Sequence, residues 1–142
     1  MRPFHLAFPV NDLAAAQDFY GRVLGCTAGR STEAWADFDL YGHQLSAHLR
    51  PDWQGPGEGR GAGAVDGDAV PIPHFGVVLT MPQWHELRAR LEGRDDIRWV
   101  LAPRVRFAGL PGEQATLFIL DPSGNALEFK GFASDEGIFA PQ

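Results

Sequence analysis

Two histidines and one glutamate are the residues of this chain whose types and spacing best suit chemistry. His5, His74 and Glu128 each lie on a short stretch that reads as a β-strand. Two imidazoles and one carboxylate are the ligands of a 2-His-1-carboxylate metal site, which leaves coordination positions open for a substrate. A lone histidine on a strand also serves as a hydrogen-bonded structural residue. The elements that position the three residues therefore decide between the two interpretations.

The order of predicted elements repeats along the chain. The first half reads as a strand at 4–10, a helix at 13–24 closed by Gly25, a strand at 34–41, a turn at 42–43 and a strand at 44–50. The second half reads as a strand at 74–80, a helix at 83–91 closed by Gly93, a strand at 98–101, a loop at 102–113 and strands at 115–120 and 126–132. The composition of 121–125 is typical of a tight turn. The pattern leaves room for an extra strand in each half.

The segment between the halves, residues 51–73, is dominated by glycine, proline and charged residues. This composition predicts a flexible connector that is long for a compact domain. Its glycines are not followed by the lysine of a phosphate-binding loop, and no strand-turn-helix pattern surrounds them. We therefore expect one domain over 1–142, with a first module at about 1–50, the connector at about 51–72, a second module at about 73–133 and a tail at 134–142.

The repeat places four candidate residues at matched positions. His5 and His74 begin the first strand of their halves, and His48 and Glu128 lie on the last strand of theirs. Glu128 stands between two apolar residues on a strand that we expect to be central, where an unpaired carboxylate is costly to bury. A metal ion is one partner that would offset this cost, and an arginine is the other.

Three segments of the sequence carry a family resemblance. They are FHLAFPVNDLAAAQDFYGRVLG at 4–25, PHFGVVL at 73–79 and FILDPSGNALEFKGF at 118–132. With these segments the chain resembles, over nearly its whole length, the vicinal oxygen chelate superfamily of glyoxalase I, extradiol dioxygenases, fosfomycin-resistance proteins and bleomycin-binding proteins. The resemblance implies an α+β fold of two βαβββ modules, whose curved mixed sheets form a metal-binding cleft.

The resemblance also implies roles for individual residues. It places His5, His74 and Glu128 on metal-ligand positions. It places His48 where glyoxalase I-like members keep a glutamate that is a fourth ligand and a base, and this departure weakens a glyoxalase I assignment. The family's extradiol dioxygenases use two histidines and one glutamate on iron(II) and need a nearby histidine as acid–base. We therefore predict that His48 moves a proton and that Tyr41 orients a substrate oxygen.

Three hypotheses for the function follow from these residues. The leading one is a metal-dependent oxidoreductase, an extradiol-type dioxygenase that acts on a small substrate with vicinal oxygens; Fe²⁺ is the favoured metal, with Zn²⁺, Ni²⁺ and Mn²⁺ as alternatives. The second is a glyoxalase-like lyase or isomerase in which His48 is a fourth metal ligand. The third is a non-catalytic, dimeric binding protein of the resistance type. Bleomycin-binding relatives lack the metal ligands, so the full set of three argues against the third hypothesis.

Composition limits the partners and the compartment. The net charge of −6 disfavours nucleic acid and anionic membranes as partners. No apolar run approaches the ~20 residues of a membrane span, and the N-terminus has no evident signal peptide. Cys26 is the single cysteine, so we expect a reducing, cytoplasmic compartment. The resemblance implies a homodimer, in which the cleft would hold His5 from one chain and Glu128 from the other if the modules exchange.

Overall fold

A computed structural model describes residues 1–56, 63–65 and 68–141 of the 142-residue chain. It has two four-stranded sheets and one two-stranded sheet. The strands are β1 (His5–Val10), β2 (Thr27–Ser31), β3 (Trp35–Leu40), β4 (His43–Leu49), β5 (Gly63–Val65), β6 (Asp68–Val70), β7 (Val78–Thr80), β8 (Arg98–Arg106), β9 (Gln114–Leu120) and β10 (Ala126–Phe132). The helices are α1 (Leu13–Gln17), which continues as a π-helical turn over Asp18–Val23, α2 (Met81–Glu92) and a 3₁₀ turn at Asp135–Gly137.

The two large sheets share one topology, which confirms the α+β fold class and the repeat. The strand orders are β1-β4-β3-β2 and β7-β10-β9-β8. In each sheet the first strand of the module runs parallel to the last, and the other neighbours are antiparallel. β2 is the extra strand that the sequence pattern allowed in the first half. Its sequence, TAGRS, is exposed at all five positions and therefore shows no apolar alternation.

Several predicted boundaries in the first half differ from the structure. The predicted helix at 13–24 changes to π-helical geometry half-way, and the Leu24 N–H bonds to the Phe19 carbonyl, five residues back. The turn between β3 and β4 is formed by Tyr41 and Gly42, rather than by residues 42–43 as predicted. The φ angles of these two residues are 52° and 89°. Both residues adopt the left-handed region that glycine tolerates best.

Boundaries also differ beyond residue 50. Within the predicted connector, β5 and β6 pair as a small antiparallel sheet. Residues 57–62 and 66–67 of the connector lie outside the described residues, so its flexibility stays a prediction. The predicted strand at 74–80 is shorter, because regular pairing begins at Val78 after an isolated bridge from Phe75 to Leu127. β8 extends through 102–106, which the sequence had left in a loop, and its pairing with β9 is broken by register shifts.

The chain forms two compact units. The first contains residues 1–73 and 121–125, and the second contains 74–120 and 126–142. In the first unit, one face of the sheet supplies the core; its buried residues on β1, β3 and β4 are Phe8, Val10, Ala36, Phe38, Leu40, Leu45 and Ala47. Alternation of side chains places a polar row on the opposite face, consisting of His5, Asp37, Gln44, Ser46 and His48.

In the second unit, α2 covers one face of the second sheet. The helix begins with a capping box between Thr80 and Gln83, and its Trp84 is fully buried. The indole N–H of Trp84 donates to the carbonyl oxygen of Phe129 on β10 at 3.0 Å. β10 lies between β7 and β9, so Glu128 is on an interior strand, as the sequence predicted. Among the described residues, no helix is long and apolar enough to cross a membrane.

The turn at 121–125 is anchored in the first unit by a buried carboxylate. Asp121 is fully buried. It accepts hydrogen bonds from the Tyr20 hydroxyl at 2.7 Å, from the backbone N–H groups of Ser123 and Asn125 at 2.8 and 2.9 Å, and from the Asn125 side-chain amide at 2.9 Å. Four donors offset the cost of removing this charge from water.

The Tyr20–Asp121 contact predicts a loss of stability in alkali. Burial, followed by the neighbouring Asp121 carboxylate, raises the pKa of the Tyr20 hydroxyl well above its ordinary value of 10.0. The unfolded chain therefore releases this proton at a lower pH than the folded chain. The contribution to stability is complete below about pH 10 and is lost above it, by up to about 1.4 kcal/mol for each pH unit until the folded pKa is reached.

Urea unfolding between pH 9 and pH 11 measures this contribution. The sequence offers a matched pair of variants, because Tyr20 and the half-exposed Tyr41 are its two tyrosines. Tyr20→Phe should flatten the alkaline decline of the unfolding free energy, whereas Tyr41→Phe should leave it as in the wild type. An equal decline in all three proteins would show that Tyr20 is not the group responsible.

Candidate metal centre

His74 and Glu128, two of the three predicted metal ligands, lie close together in the second unit. The Nε2 atom of His74 lies 3.5 Å from Oε1 of Glu128. The Glu128 side chain is only 6% exposed, whereas that of His74 is 25% exposed. A nearly buried carboxylate thus faces an imidazole that solvent still reaches.

Neighbouring side chains fix the orientation of both groups. Thr116 on β9 donates its hydroxyl proton to Oε2 of Glu128 at 2.7 Å, which leaves Oε1 directed to His74. The ring of Phe118 packs edge-on against the imidazole, with centroids 4.8 Å apart. Such supporting contacts are the usual way in which proteins orient metal ligands.

Gly76 permits the close approach of the two backbones at this point. The Phe75 N–H donates to the Ala126 carbonyl, and the Glu128 N–H donates to the Phe75 carbonyl. A Cβ on Gly76 would overlap the Glu128 carbonyl oxygen. The absence of a side chain at Gly76 therefore lets the segment after His74 lie directly against β10.

His5 lies at the start of β1 in the first unit, and its ring is oriented by a neighbour on β4. Its Nδ1 is 2.8 Å from Oε1 of Gln44. A proton on Nδ1 would satisfy this amide oxygen and would leave the lone pair on Nε2 for a metal ion. His5 is exposed, so this Nε2 is accessible from solvent.

The donor set fits a divalent metal ion. Two donors that each lie about 2.0–2.2 Å from one ion are roughly 3–3.5 Å apart, and the His74–Glu128 separation agrees with this spacing. Imidazole nitrogens and a carboxylate oxygen suit iron, zinc, nickel and manganese. Within residues 1–56, 63–65 and 68–141, no group of three or more His, Cys, Asp or Glu side chains is itself arranged as a metal site. The three-ligand set therefore stays a prediction.

The strand register separates His48 from His5. His5 pairs with Gln44, whereas His48 pairs with Pro9, four residues further along β1. Four residues of strand span about 13 Å, so one ion does not take both imidazoles as ligands in this sheet. Gln44, rather than His48, is the β4 residue beside His5, and the sequence pattern did not single it out. The geometry does not favour His48 as a fourth ligand and leaves it free to contact a substrate.

His48 lines a cavity at the other end of the polar row. The cavity has a volume of about 650 Å³, and His48, Arg50, Asp52, Trp53 and residues 7–9 of β1 line it. This volume suits a small organic ligand. The indole N–H of Trp53 donates to the side-chain oxygen of Asn125 at 2.9 Å, which holds the ring in place. His48 is therefore placed where it would contact a bound molecule.

Tyr41, the other predicted catalytic residue, does not lie near His48. It lies in the turn between β3 and β4, and the residue is 38% exposed. His48 pairs with Trp35 at the opposite end of the same hairpin, about 20 Å away along the strand. The structure thus places the two predicted catalytic residues at different ends of the sheet, and the role of Tyr41 stays a prediction.

Comparison with known families agrees with the fold. The family model described as the Glyoxalase/Bleomycin resistance protein/Dioxygenase superfamily matches residues 2–129. The chain belongs to this superfamily. The resemblance that the sequence suggested is therefore confirmed. The name of the superfamily joins enzymes with resistance proteins, so membership leaves the reaction open.

Solved structures show the same fold. The crystal structure of a glyoxalase/bleomycin resistance protein/dioxygenase from Alicyclobacillus acidocaldarius is 33% identical, with 96% of each chain covered and a TM-score of 0.73. A glyoxalase/dioxygenase from Nostoc punctiforme is 18% identical over 94% of this chain and 92% of that chain, with a TM-score of 0.65. The fosfomycin resistance protein FosX from Listeria monocytogenes is 14% identical over 94% of each chain, with a TM-score of 0.66. The last two support the fold alone. A comparison with curated proteins found no match.

Proposed function

We propose that this protein is a metal-dependent enzyme in which His5, His74 and Glu128 hold a divalent ion. The observation that carries the proposal is the approach of His74 Nε2 to Glu128 Oε1 at 3.5 Å on an interior strand. Glu128 is buried and oriented by Thr116, as a ligand would be, and the ring of the exposed His5 is held by Gln44 through Nδ1. Two histidines and one carboxylate support Fe²⁺ as the metal and an extradiol-type dioxygenase as the activity.

A bound ion would polarise two vicinal oxygens of the substrate and would leave positions open for a second reactant. The protein itself would supply proton transfer and the binding of the substrate. His48 accepts a proton from a substrate hydroxyl, and the cavity beside it receives the remainder of the molecule. Trp53 lines this cavity together with Arg50 and Asp52, so an aromatic substrate with polar substituents would find an aromatic neighbour and charged partners there.

Metal analysis and oxygen uptake test the proposal. Protein purified without chelator or added metal should contain close to one divalent ion per chain, and Fe²⁺-loaded protein should consume oxygen with catechols. Metal-dependent turnover of a thiohemiacetal without oxygen uptake would instead favour the glyoxalase-like alternative. Protein that lacks metal and does not regain it on titration would contradict both activities and leave a non-catalytic binding protein.

The proposal includes a homodimer in which the site draws His5 from one chain and Glu128 from the other. Mixed refolding of His5→Ala and Glu128→Ala chains tests this arrangement. Each variant alone should be inactive, but a mixed dimer keeps one site with all its ligands. With random pairing, about a quarter of the wild-type activity should return. If the mixture stays inactive although the dimer forms, the three ligands come from a single chain.

Replacement of His48 separates proton transfer from metal binding. His48→Ala should lower kcat by about 10²–10⁴-fold, the usual contribution of a general acid or base, and leave the metal content unchanged. Turnover rates and metal analysis on the same preparation check both parts. His85→Ala is a suitable control, because His85 is an exposed histidine on α2. Loss of metal from the His48 variant would make His48 a ligand, against the register of β1 and β4.

A further inference from the structure

We propose that Asp37 and Ser46 are positioning residues that keep the proton of neutral His48 on Nε2, so that Nδ1 is the nitrogen that accepts a proton. The inference rests on the proposed role of His48 in proton transfer. It goes further by naming the two residues that control His48 and the ring nitrogen that reacts.

The sheet register brings the three side chains together. On the antiparallel pair β3–β4, Asp37 is opposite Ser46 and Trp35 is opposite His48. Ser46 and His48 are two residues apart on β4, so their side chains share the polar face with that of Asp37. Asp37 and Ser46 are 9% and 7% exposed, whereas His48 is half-buried and lines the cavity. The chain of contacts thus runs from a buried carboxylate to an imidazole at the cavity wall.

The two distances assign the hydroxyl proton of Ser46. Oγ of Ser46 lies 2.6 Å from Oδ1 of Asp37, a length typical of a hydroxyl that donates to a carboxylate. Oγ lies 3.4 Å from Nε2 of His48, at the long end of hydrogen-bond distances. A hydroxyl has one proton, and the short, charge-assisted bond takes it. Ser46 is therefore able only to accept from His48, so a hydrogen bond between these two atoms requires the proton on Nε2.

The direction of the hydrogen bond between His48 and Ser46 determines which ring nitrogen of His48 reacts. With the proton of neutral His48 on Nε2, the lone pair is on Nδ1. When Nδ1 accepts a proton, the O–H bond of the substrate hydroxyl breaks and its electron pair stays on the oxygen. The imidazole becomes an imidazolium that keeps Nε2–H directed to Ser46. Asp37 accepts only from Ser46 in this step and takes up no proton, so it acts through Ser46 rather than on the substrate.

Nitrogen-15 NMR of the metal-free, substrate-free protein tests the inference. Long-range ¹H–¹⁵N correlations distinguish the Nε2–H form of a neutral histidine from the Nδ1–H form, and a His48→Gln spectrum assigns the signals. Wild-type His48 should be in the Nε2–H form. In Asp37→Leu the Ser46 hydroxyl loses its carboxylate acceptor and turns its proton toward Nε2, so the major form should shift to Nδ1–H.

A double-mutant cycle ties the shift to Ser46. In a Ser46→Ala background, Asp37→Leu should cause no further change in the His48 signals, because the hydroxyl that transmits the change is gone. Ser46→Thr keeps a hydroxyl and should retain the wild-type pattern, and Ser31→Ala on exposed β2 is a control. If Asp37→Leu does not fold, Asp37→Asn and Ser46→Ala still test the inference, since each should alter the balance of tautomers.

Two outcomes would overturn the inference. The first is an Nδ1–H form in the wild type, and the second is a His48 spectrum that is the same in every folded variant at positions 37 and 46. Neither measurement involves a metal or turnover. The inference can therefore fail while the metal-dependent activity holds. If that activity is not found, the assigned position of the His48 proton can still be correct.

Discussion

Replacement of Glu128 by glutamine should abolish metal binding and turnover while the fold is kept. Glutamine has the size of glutamate, and its amide oxygen still accepts from the Thr116 hydroxyl, which lies 2.7 Å from Oε2. The variant lacks the negative charge that faces His74 Nε2. We expect kcat/KM to fall by about 10³-fold or more, which corresponds to roughly 4 kcal/mol of lost transition-state stabilisation. Calorimetric titration with Mn²⁺, together with steady-state rates, measures both losses.

Thr116→Val provides a graded comparison within the same site. This substitution keeps the shape of the side chain and removes the hydroxyl that orients Glu128. Loss of such a supporting hydrogen bond typically lowers metal affinity by about 10–100-fold, so the effect should lie between those of the wild type and Glu128→Gln. Thr27→Val on exposed β2 is the matched control and should bind metal as the wild type does.

An unchanged metal affinity in Glu128→Gln would have a clear structural meaning. The contact of His74 with Glu128 would then be a structural one that satisfies a buried carboxylate, which is the more ordinary role of such a contact. The variant would then lose stability in the absence of metal, because an amide makes a weaker contact with the imidazole than a carboxylate does.

The sequence predicted best those elements that are determined by residues close together in the chain. β10 was predicted with its observed limits, since it alternates clearly and follows a tight turn. The apolar spacing of α2 is also local, and the helix begins within two residues of its predicted start. β2 was missed because none of its five residues is buried, so no alternation marks it. The extension of β8 was missed because its pairing with β9 is irregular.

The site was predicted only in part for a similar reason. The repeat drew attention to His74 and Glu128, but it does not by itself bring them together. Glu128 lies opposite Gly76, two residues after His74, whereas the residue two positions after His5 pairs with Ser46 and not with His48. The pairing of His5 with Gln44, and the contact of Asp37 with Ser46, depend on the register between strands. A shift of two residues keeps the same face of each strand and changes every neighbour, so alternation alone does not fix these contacts. The same register places His48 four residues beyond Gln44 on β4 and therefore away from His5.

Replacement of Asp121 by alanine should cause a large loss of stability, because the carboxylate is the acceptor of a buried hydrogen-bond network. It leaves the buried Tyr20 hydroxyl and the N–H groups of Ser123 and Asn125 without their acceptor. Each unsatisfied buried group costs about 1–3 kcal/mol. We expect the free energy of unfolding to fall by about 4 kcal/mol, a large part of the ~5–15 kcal/mol that is typical of a domain. Urea unfolding near pH 7 measures the loss.

A series of variants separates the carboxylate from its single contacts. Asp121→Asn and Tyr20→Phe should each cost about 2 kcal/mol, because several of the hydrogen bonds remain. Asp95→Ala removes an exposed carboxylate and should change stability by less than about 0.5 kcal/mol. Equal stability of Asp121→Ala and Asp95→Ala would contradict the assigned network.

Substitution of Asp121 should also weaken substrate binding in the cavity beside His48. Oδ2 of Asp121 accepts from the Asn125 side-chain amide, which also donates to the Pro9 carbonyl at 2.8 Å. The oxygen of the same amide accepts from the indole of Trp53. Because Pro9 and Trp53 both line the cavity beside His48, a folded Asp121→Asn protein should bind substrate more weakly. A raised KM with little change in metal affinity is the expected signature, because the contacts of Asp121 fix the cavity wall and not the metal ligands.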